Sequence, residues 1–144
     1  MPLSPDSERT SLRIEVFVLC EAAQEFDGRL NLFGTFDTIR TAAAPVIVPV
    51  LTAAIRLRFW PEEAGGHCCT LRVIDNDGQP VATDVESEFA VFETIQSSSE
   101  TVNLIVRFQS INLQREGEFE IQLYLDGHLE ASLPFRLDVI PSIS

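Results

Sequence analysis

Strict alternation of apolar and polar residues governs the last part of the chain. Phe119, Ile121, Leu123 and Leu125 alternate with Glu118, Glu120, Gln122 and Tyr124. Asp126-Gly127 follows, and alternation resumes through Leu129, Ala131, Leu133, Phe135, Leu137 and Val139. Successive side chains of a strand leave opposite faces, so the pattern predicts two strands with one apolar face and one wet face. Asp-Gly between them predicts a two-residue hairpin turn, because the tight primed turns need positive φ at their centre.

The same period runs upstream. Leu12 to Cys20 predicts a first strand, with Leu12, Ile14, Val16, Val18 and Cys20 on one face. Phe17 and Leu19 on the other face predict that its middle is covered on both sides. Glu21 to Gly28 reads as a polar connection ending in Asp27-Gly28. Leu30, Leu32, Gly34 and Phe36 define a second strand, where Gly34 marks a bulge or a close approach. Thr41 to Pro49 is apolar but interrupted by Pro45 and Pro49. Proline cannot donate to a central ladder, so this stretch is expected to be an extended crossover or an edge segment.

Leu51, Ala53, Ile55, Leu57 and Phe59 predict a long strand, closed by Trp60-Pro61-Glu62-Glu63-Ala64-Gly65-Gly66. Cys69, Leu71 and Val73 predict the next, ending at Asp75-Asn76-Asp77-Gly78. Val81 to Phe92 is its expected partner, with Val85, Phe89 and Val91 inward. After a polar turn at Gln96 to Glu100 comes a strand through Val102, Leu104, Val106 and Phe108. No 3.6-residue period of useful length occurs. The expected architecture is all-β: a single-domain β-sandwich, immunoglobulin-like or C2-like, with about eight mostly antiparallel strands. It is expected to span residues 11–140, behind a flexible N-terminal tail at 1–10.

Composition narrows the function. Of 144 residues, 45% are hydrophobic, which suits a folded domain. Ten Phe accompany one Tyr and one Trp, and Phe has no polar handle, so most of these rings belong in a core. The formal net charge of −12 repels phosphate backbones and anionic lipid, so neither nucleic acid nor a membrane is expected as a partner. The only basic pairs, Arg56 with Arg58 and Arg107 with Arg115, form no run. No stretch approaches the apolar length of a membrane span, and residues 1–10 lack the pattern of a secretory signal. Three cysteines cannot all pair within one chain, and the adjacent Cys68 and Cys69 face opposite ways on a strand. A reducing, cytoplasmic setting is therefore expected.

Several landmarks recur in an order and spacing that resemble one known family. They are Leu19-Cys20-Glu21-Ala22-Ala23, Gly28 to Ile39, Pro49 followed by Ile55-Arg-Leu-Arg-Phe59, Glu63 to His67, Asp75 to Gly78, and Gly117-Glu-Phe-Glu-Ile121. The family comprises short bacterial proteins of unknown function. The resemblance covers roughly residues 12 to 139 and implies a stand-alone β-sandwich; it brings no catalytic or binding residues.

Candidate chemistry is sparse. Asp75 and Asp77 sit in an Asp-rich loop of the kind that holds calcium, yet Asp and Asn also favour turns through their own backbone bonds. His67 and Cys69 share a strand face, with Cys20 or His128 as further candidate ligands. The spacing of a zinc site is missing, and no ligand set is assigned. Ser97-Ser98-Ser99 lies in no nucleophile elbow, and Cys20 and Cys69 fall in apolar patterning that suppresses thiol reactivity. The expectation is a non-enzymatic β-sandwich, without a cofactor, that binds a protein partner or forms a homo-oligomer. The alternative is a sandwich that binds calcium or a small ligand through its Asp-rich loops. The candidate interface is the proline-bounded Val46, Ile47 and Val48, with Trp60 as an aromatic anchor at a strand end.

Overall fold

The computed structural model describes residues 13–92 and 99–141. The tail expected at 1–10, and the part of the polar turn at 96–98 that includes Ser97 and Ser98, lie outside these residues. Among the described residues, nine strands form two sheets: β1 (Arg13–Phe26), β2 (Arg29–Phe36), β3 (Thr38–Thr41), β4 (Val46–Phe59), β5 (Gly65–Asp75), β6 (Val85–Val91), β7 (Glu100–Leu113), β8 (Gly117–Leu125) and β9 (His128–Val139). A four-stranded sheet has the order β2-β1-β4-β7, and a five-stranded sheet the order β3-β9-β8-β5-β6. Every pairing is antiparallel except β3 with β9. The protein is an all-β sandwich, as its alternation predicts.

The inward faces make one core. Leu51, Ile55, Leu57 and Phe59 of β4 meet Leu71 and Val73 of β5, Ile121 and Leu123 of β8, and Phe135 and Leu137 of β9. Each such side chain taken out of water contributes about 1.5–3 kcal/mol. Phe119 and Phe135 stack at 5.3 Å between centroids, directly across the β8–β9 pair. The turn joining those strands has φ of 52° at Asp126 and 86° at Gly127, the left-handed pair that a two-residue turn requires.

Simple alternation fails at several places, three of which shape the molecule. Between Ile14↔Leu57 and Val16↔Arg56 the register shifts, so Glu15 is an extra residue. Ile14 therefore packs on the main core together with Phe17 and Leu19, while Val18 and Cys20 turn to the outer face of the four-stranded sheet. In the β4–β7 pair, Pro49 and Ser110 lie between Val48↔Ile111 and Val50↔Gln109. Proline has no donor and Ser110 has φ 55°, so both strands change facing there. Val46, Val48, Ile111 and Leu113 point to the core on one side of this step, and Leu51, Ala53, Val106 and Phe108 on the other.

The third break corrects the expected connection at Glu21 to Gly28: β1 continues to Phe26, pairs with β2 from Leu19 onward, and only Asp27-Gly28 forms the turn. Pairing between β1 and β4 stops at Cys20↔Thr52. Gly34, opposite Glu21, has φ 64°, and a Cβ there would collide with the Glu21 side chain. Beyond this point the β1–β2 hairpin folds over the outer face of its own sheet. Ala23, Leu30 and Leu32 of the hairpin pack on Cys20, Ala54, Val18 and Ile105 as a second small core. Polar contacts fix the overlay. Gly28 O accepts from Arg56 Nη1 at 3.3 Å and Asn103 Nδ2 at 3.2 Å, and Glu25 Oε2 accepts from Asn103 Nδ2 at 3.1 Å. Leu30 and Leu32 thus face the small core while Phe36 faces the main one, rather than sharing a face.

Candidate functional site

β4 carries Val46, Ile47 and Val48 at its start and Trp60 follows its last residue, so its 14 residues hold the predicted interface apart. At about 3.3 Å per residue, roughly 40 Å of strand separates Ile47 from Trp60. The two halves of the predicted surface therefore belong to opposite ends of the sandwich. At the first end, Val46 and Val48 pack against the main core, whereas Ile47 is 62% exposed. Val50, two residues beyond Val48 in the same apolar stretch, is 50% exposed. Among the described strands, Val46 to Val50 pair with β7 alone, because β1 leaves β4 at Thr52. This agrees with an edge segment and explains why two prolines are tolerated around it.

At the other end, Phe59 is fully buried and the chain turns through the short 3-10 segment Pro61–Glu63. Glu63 N donates to Trp60 O at 2.8 Å, and Trp60 N donates to Glu63 Oε1 at 2.9 Å. The half-buried Trp60 lies with Phe59, Pro61, Val91, Phe92, Ser99 and Glu100 around a small cleft. Phe92 is largely exposed.

Next to this turn stands His67, the first inward-facing side chain of β5. Its ring lies 4.9 Å from that of Phe59 and 5.8 Å from that of Phe89. Nδ1 is 2.7 Å from Asp126 Oδ2, and Nε2 is 2.6 Å from the Glu63 carbonyl oxygen. The other Asp126 oxygen accepts from Cys68 N at 2.9 Å, and Asp126 N donates to Cys68 O at 2.8 Å. Burial works against a charged His67 ring, but the bonds to Glu63 and Asp126 and the nearby carboxylate charge hold its pKa above the ordinary 6.5. Burial likewise opposes the Asp126 carboxylate; the bonds from His67 and Cys68 outweigh it and hold the pKa below 3.8.

This arrangement is poor at proton abstraction or nucleophilic attack. A general base needs a free lone pair, and both His67 nitrogens are engaged. Cys69 is buried, and burial pushes its thiol up to about 12. Burial also raises the thiol of Cys20. All three cysteines are free, with Cys68 half-buried.

The Asp-rich loop is explained by its own turn. Asp75 Oδ1 accepts from Asp77 N and Gln79 N, both at 2.9 Å. Asp77 reaches Arg115 at 3.8 Å across an open groove of about 360 Å³ lined also by Val81, Glu116 and Phe119. Among the described residues, no group of three His, Cys, Asp or Glu side chains is placed to hold a metal ion. The Arg56–Arg58 pair is held by one carboxylate: Glu15 accepts from Arg56 Nε at 3.1 Å and Arg58 Nε at 2.6 Å. No helix among the described residues is long and apolar enough to cross a membrane.

No curated protein matches the chain in sequence. Among solved structures, a β-glucosidase from Listeria innocua in complex with isofagomine overlays with a TM-score of 0.51 at 8% identity, over 90% of this chain and 16% of that one. An alkylpurine DNA glycosylase from Pseudomonas fluorescens bound to abasic-site DNA overlays at 0.46 and 7% identity, over 90% and 31%. An immunoglobulin-like protein from Pseudomonas aeruginosa overlays at 0.36 and 12% identity, over 88% and 96%. The first likeness shows the sandwich fold alone, and the other two are too loose to use further. The chain spans less than a third of the length of either glycosylase structure. The model of a family of unknown function, DUF6941, matches residues 15–138, nearly the whole two-sheet domain, and the chain belongs to that family.

Proposed function

We propose that this protein is a non-enzymatic β-sandwich module that binds a protein partner or a second copy of itself in a reducing, cytoplasmic setting. The observation that carries this reading is the stretch Val46 to Val50. Its backbone pairs on one side only among the described strands, and Ile47 and Val50 stand exposed beside that open edge. An unpaired edge with exposed aliphatic side chains is a template for strand addition by another chain. The lack of catalysis is supported by the occupied nitrogens of His67 and the raised thiols of Cys20 and Cys69. The reducing setting is supported by three free cysteines.

Light scattering after size exclusion, with a pull-down, tests the reading on wild type, Ile47→Asp and Trp60→Ala. Ile47 is exposed, so Ile47→Asp is expected to change stability by less than ~0.5 kcal/mol while abolishing association. Trp60→Ala separates the two ends of β4. A wild-type monomer whose captured partners are unchanged in both variants would overturn the proposal.

A further inference from the structure

We infer that His67 is a proton-operated latch: its doubly protonated ring fixes the Trp60–Glu63 turn against the sandwich, and its neutral ring lets that turn go. The argument is one of donors and acceptors. A carboxylate oxygen and a carbonyl oxygen can only accept, and they face the two ring nitrogens at 2.7 and 2.6 Å. Satisfying both takes two N–H groups, and a neutral imidazole has one. On deprotonation the bond to Asp126 is the one retained, because it is made to a charge. Nε2 then turns a lone pair on the Glu63 carbonyl at 2.6 Å, and the contact becomes repulsive.

The turn can respond as a unit. It is closed by its own bonds, Glu63 N to Trp60 O and Ala64 N to Pro61 O, and none of its three residues is buried. Every element around the ring is accounted for. The β8–β9 turn supplies Asp126, with His128 beyond it. The 3-10 turn supplies the Glu63 carbonyl, while the Glu63 carboxylate bonds Trp60 N. On β5 the flanking groups are the Cys68 and Cys69 thiols, and Cys68 N is held by Asp126. From β4 and β6 come the rings of Phe59 and Phe89. Because the bonds to Glu63 and Asp126 outweigh burial, His67 stays protonated above its ordinary range. Asp126 is held below its own and remains ionised throughout. The latch is therefore closed below the His67 titration and opens as pH rises through it. This holds whether or not the Trp60 surface meets a partner.

Trp60 is the only tryptophan, so tryptophan emission, excited where tyrosine does not absorb, reports this turn. Emission and imidazole ¹⁵N shifts are followed together across neutral to alkaline pH. The expected result is one emission transition whose midpoint equals the His67 titration and lies above 6.5. His67→Phe is expected to remove the transition and His128→Gln to keep it. Asp126→Asn, which keeps an acceptor but removes the charge, is expected to move the midpoint down by on the order of one unit. If His67→Phe does not fold, Asp126→Asn decides. A His67 midpoint below 6.5, an emission flat across its titration, or a midpoint unmoved in Asp126→Asn overturns the latch.

Discussion

Ala54 sits under the folded-back hairpin, and enlarging it measures that third layer directly. It is 0% exposed, on the outer face of β4, with Ala23, Leu30 and Leu32 of the hairpin over it. In Ala54→Leu the added carbons must lift the hairpin or compress the small core, a change that costs about 1–3 kcal/mol. For 144 residues, an unfolding entropy of about 2.1 cal/mol/K per residue gives roughly 0.3 kcal/mol/K, so 2 kcal/mol is about 7 °C in Tm. In a plain two-layer sandwich Ala54 would face water, and the same change would stay within about 0.5 kcal/mol. Ile55→Ala, one residue on and facing the main core, sets the scale at about 2–5 kcal/mol. Leu32→Ala removes volume from above Ala54, so the double variant is expected to recover at least half of the loss. Thermal and urea unfolding followed by circular dichroism read wild type and the four variants. An Ala54→Leu protein within 0.5 kcal/mol of wild type, or no coupling to Leu32, refutes the folded-back layer.

Gly34→Ala places a Cβ at φ 64° and against Glu21, and is expected to cost about 1–2 kcal/mol from the backbone alone. Glu21→Ala should relieve the collision but not that cost, so full rescue in the double variant contradicts the left-handed assignment. With a thiol reagent at pH 8, Cys68 is expected to react in the native state while Cys20, under the hairpin, and Cys69, in the main core, react only on unfolding; three rapid equivalents would show that neither is shielded. The pKa of Glu15 is lowered chiefly by its hydrogen bond from Arg58, against a smaller opposing effect of burial and with help from Arg56. Its contribution is therefore complete above the ordinary 4.5 and is lost as pH falls through the depressed folded value. Glu15→Gln should flatten the acid decline in Tm, and an unchanged slope removes Glu15 from the cause.

The fold was legible where side-chain period and turn chemistry agree. The β8–β9 hairpin shows this best: Phe119, Ile121, Leu123 and Leu125 are all buried, and Asp126-Gly127 turns as expected. Even there one residue strays. The register shifts between Leu123↔Ala131 and Tyr124↔Leu129, so Leu129 leaves the inward row and is exposed. Period-two reasoning assumes an unbroken pleat, and each bulge or left-handed residue resets the parity. Glu15, Gly34 with Glu21, and Pro49 with Ser110 are such resets. Gly34 and Pro49 announce themselves by residue type, whereas Ser110 and Glu15 do not. The four-residue β3 was missed because its only strand partner is β9, far along the chain and parallel, with too few residues for a period to show.

The site was less legible, because its parts meet only through register. Ile47 and Trp60 read as one surface in a linear scan, and a single long strand sets them at opposite ends. The pairing of His67 with Asp126 depends on Cys69 lying opposite Leu125, which no local pattern encodes. Asp126 had a sufficient local explanation as a turn residue, and that explanation hid its second role. A signal did exist in the row His67, Cys69, Leu71, Val73, which puts an imidazole at the head of a core-facing series. A polar ring carried inward must find hydrogen-bond partners, so that position demanded an acceptor from somewhere else in the fold. The structure supplies two acceptors where a neutral ring could serve one. That excess makes the corner sensitive to a proton, whereas the Asp75 loop, whose oxygen is matched by its own backbone donors, is a turn complete in itself.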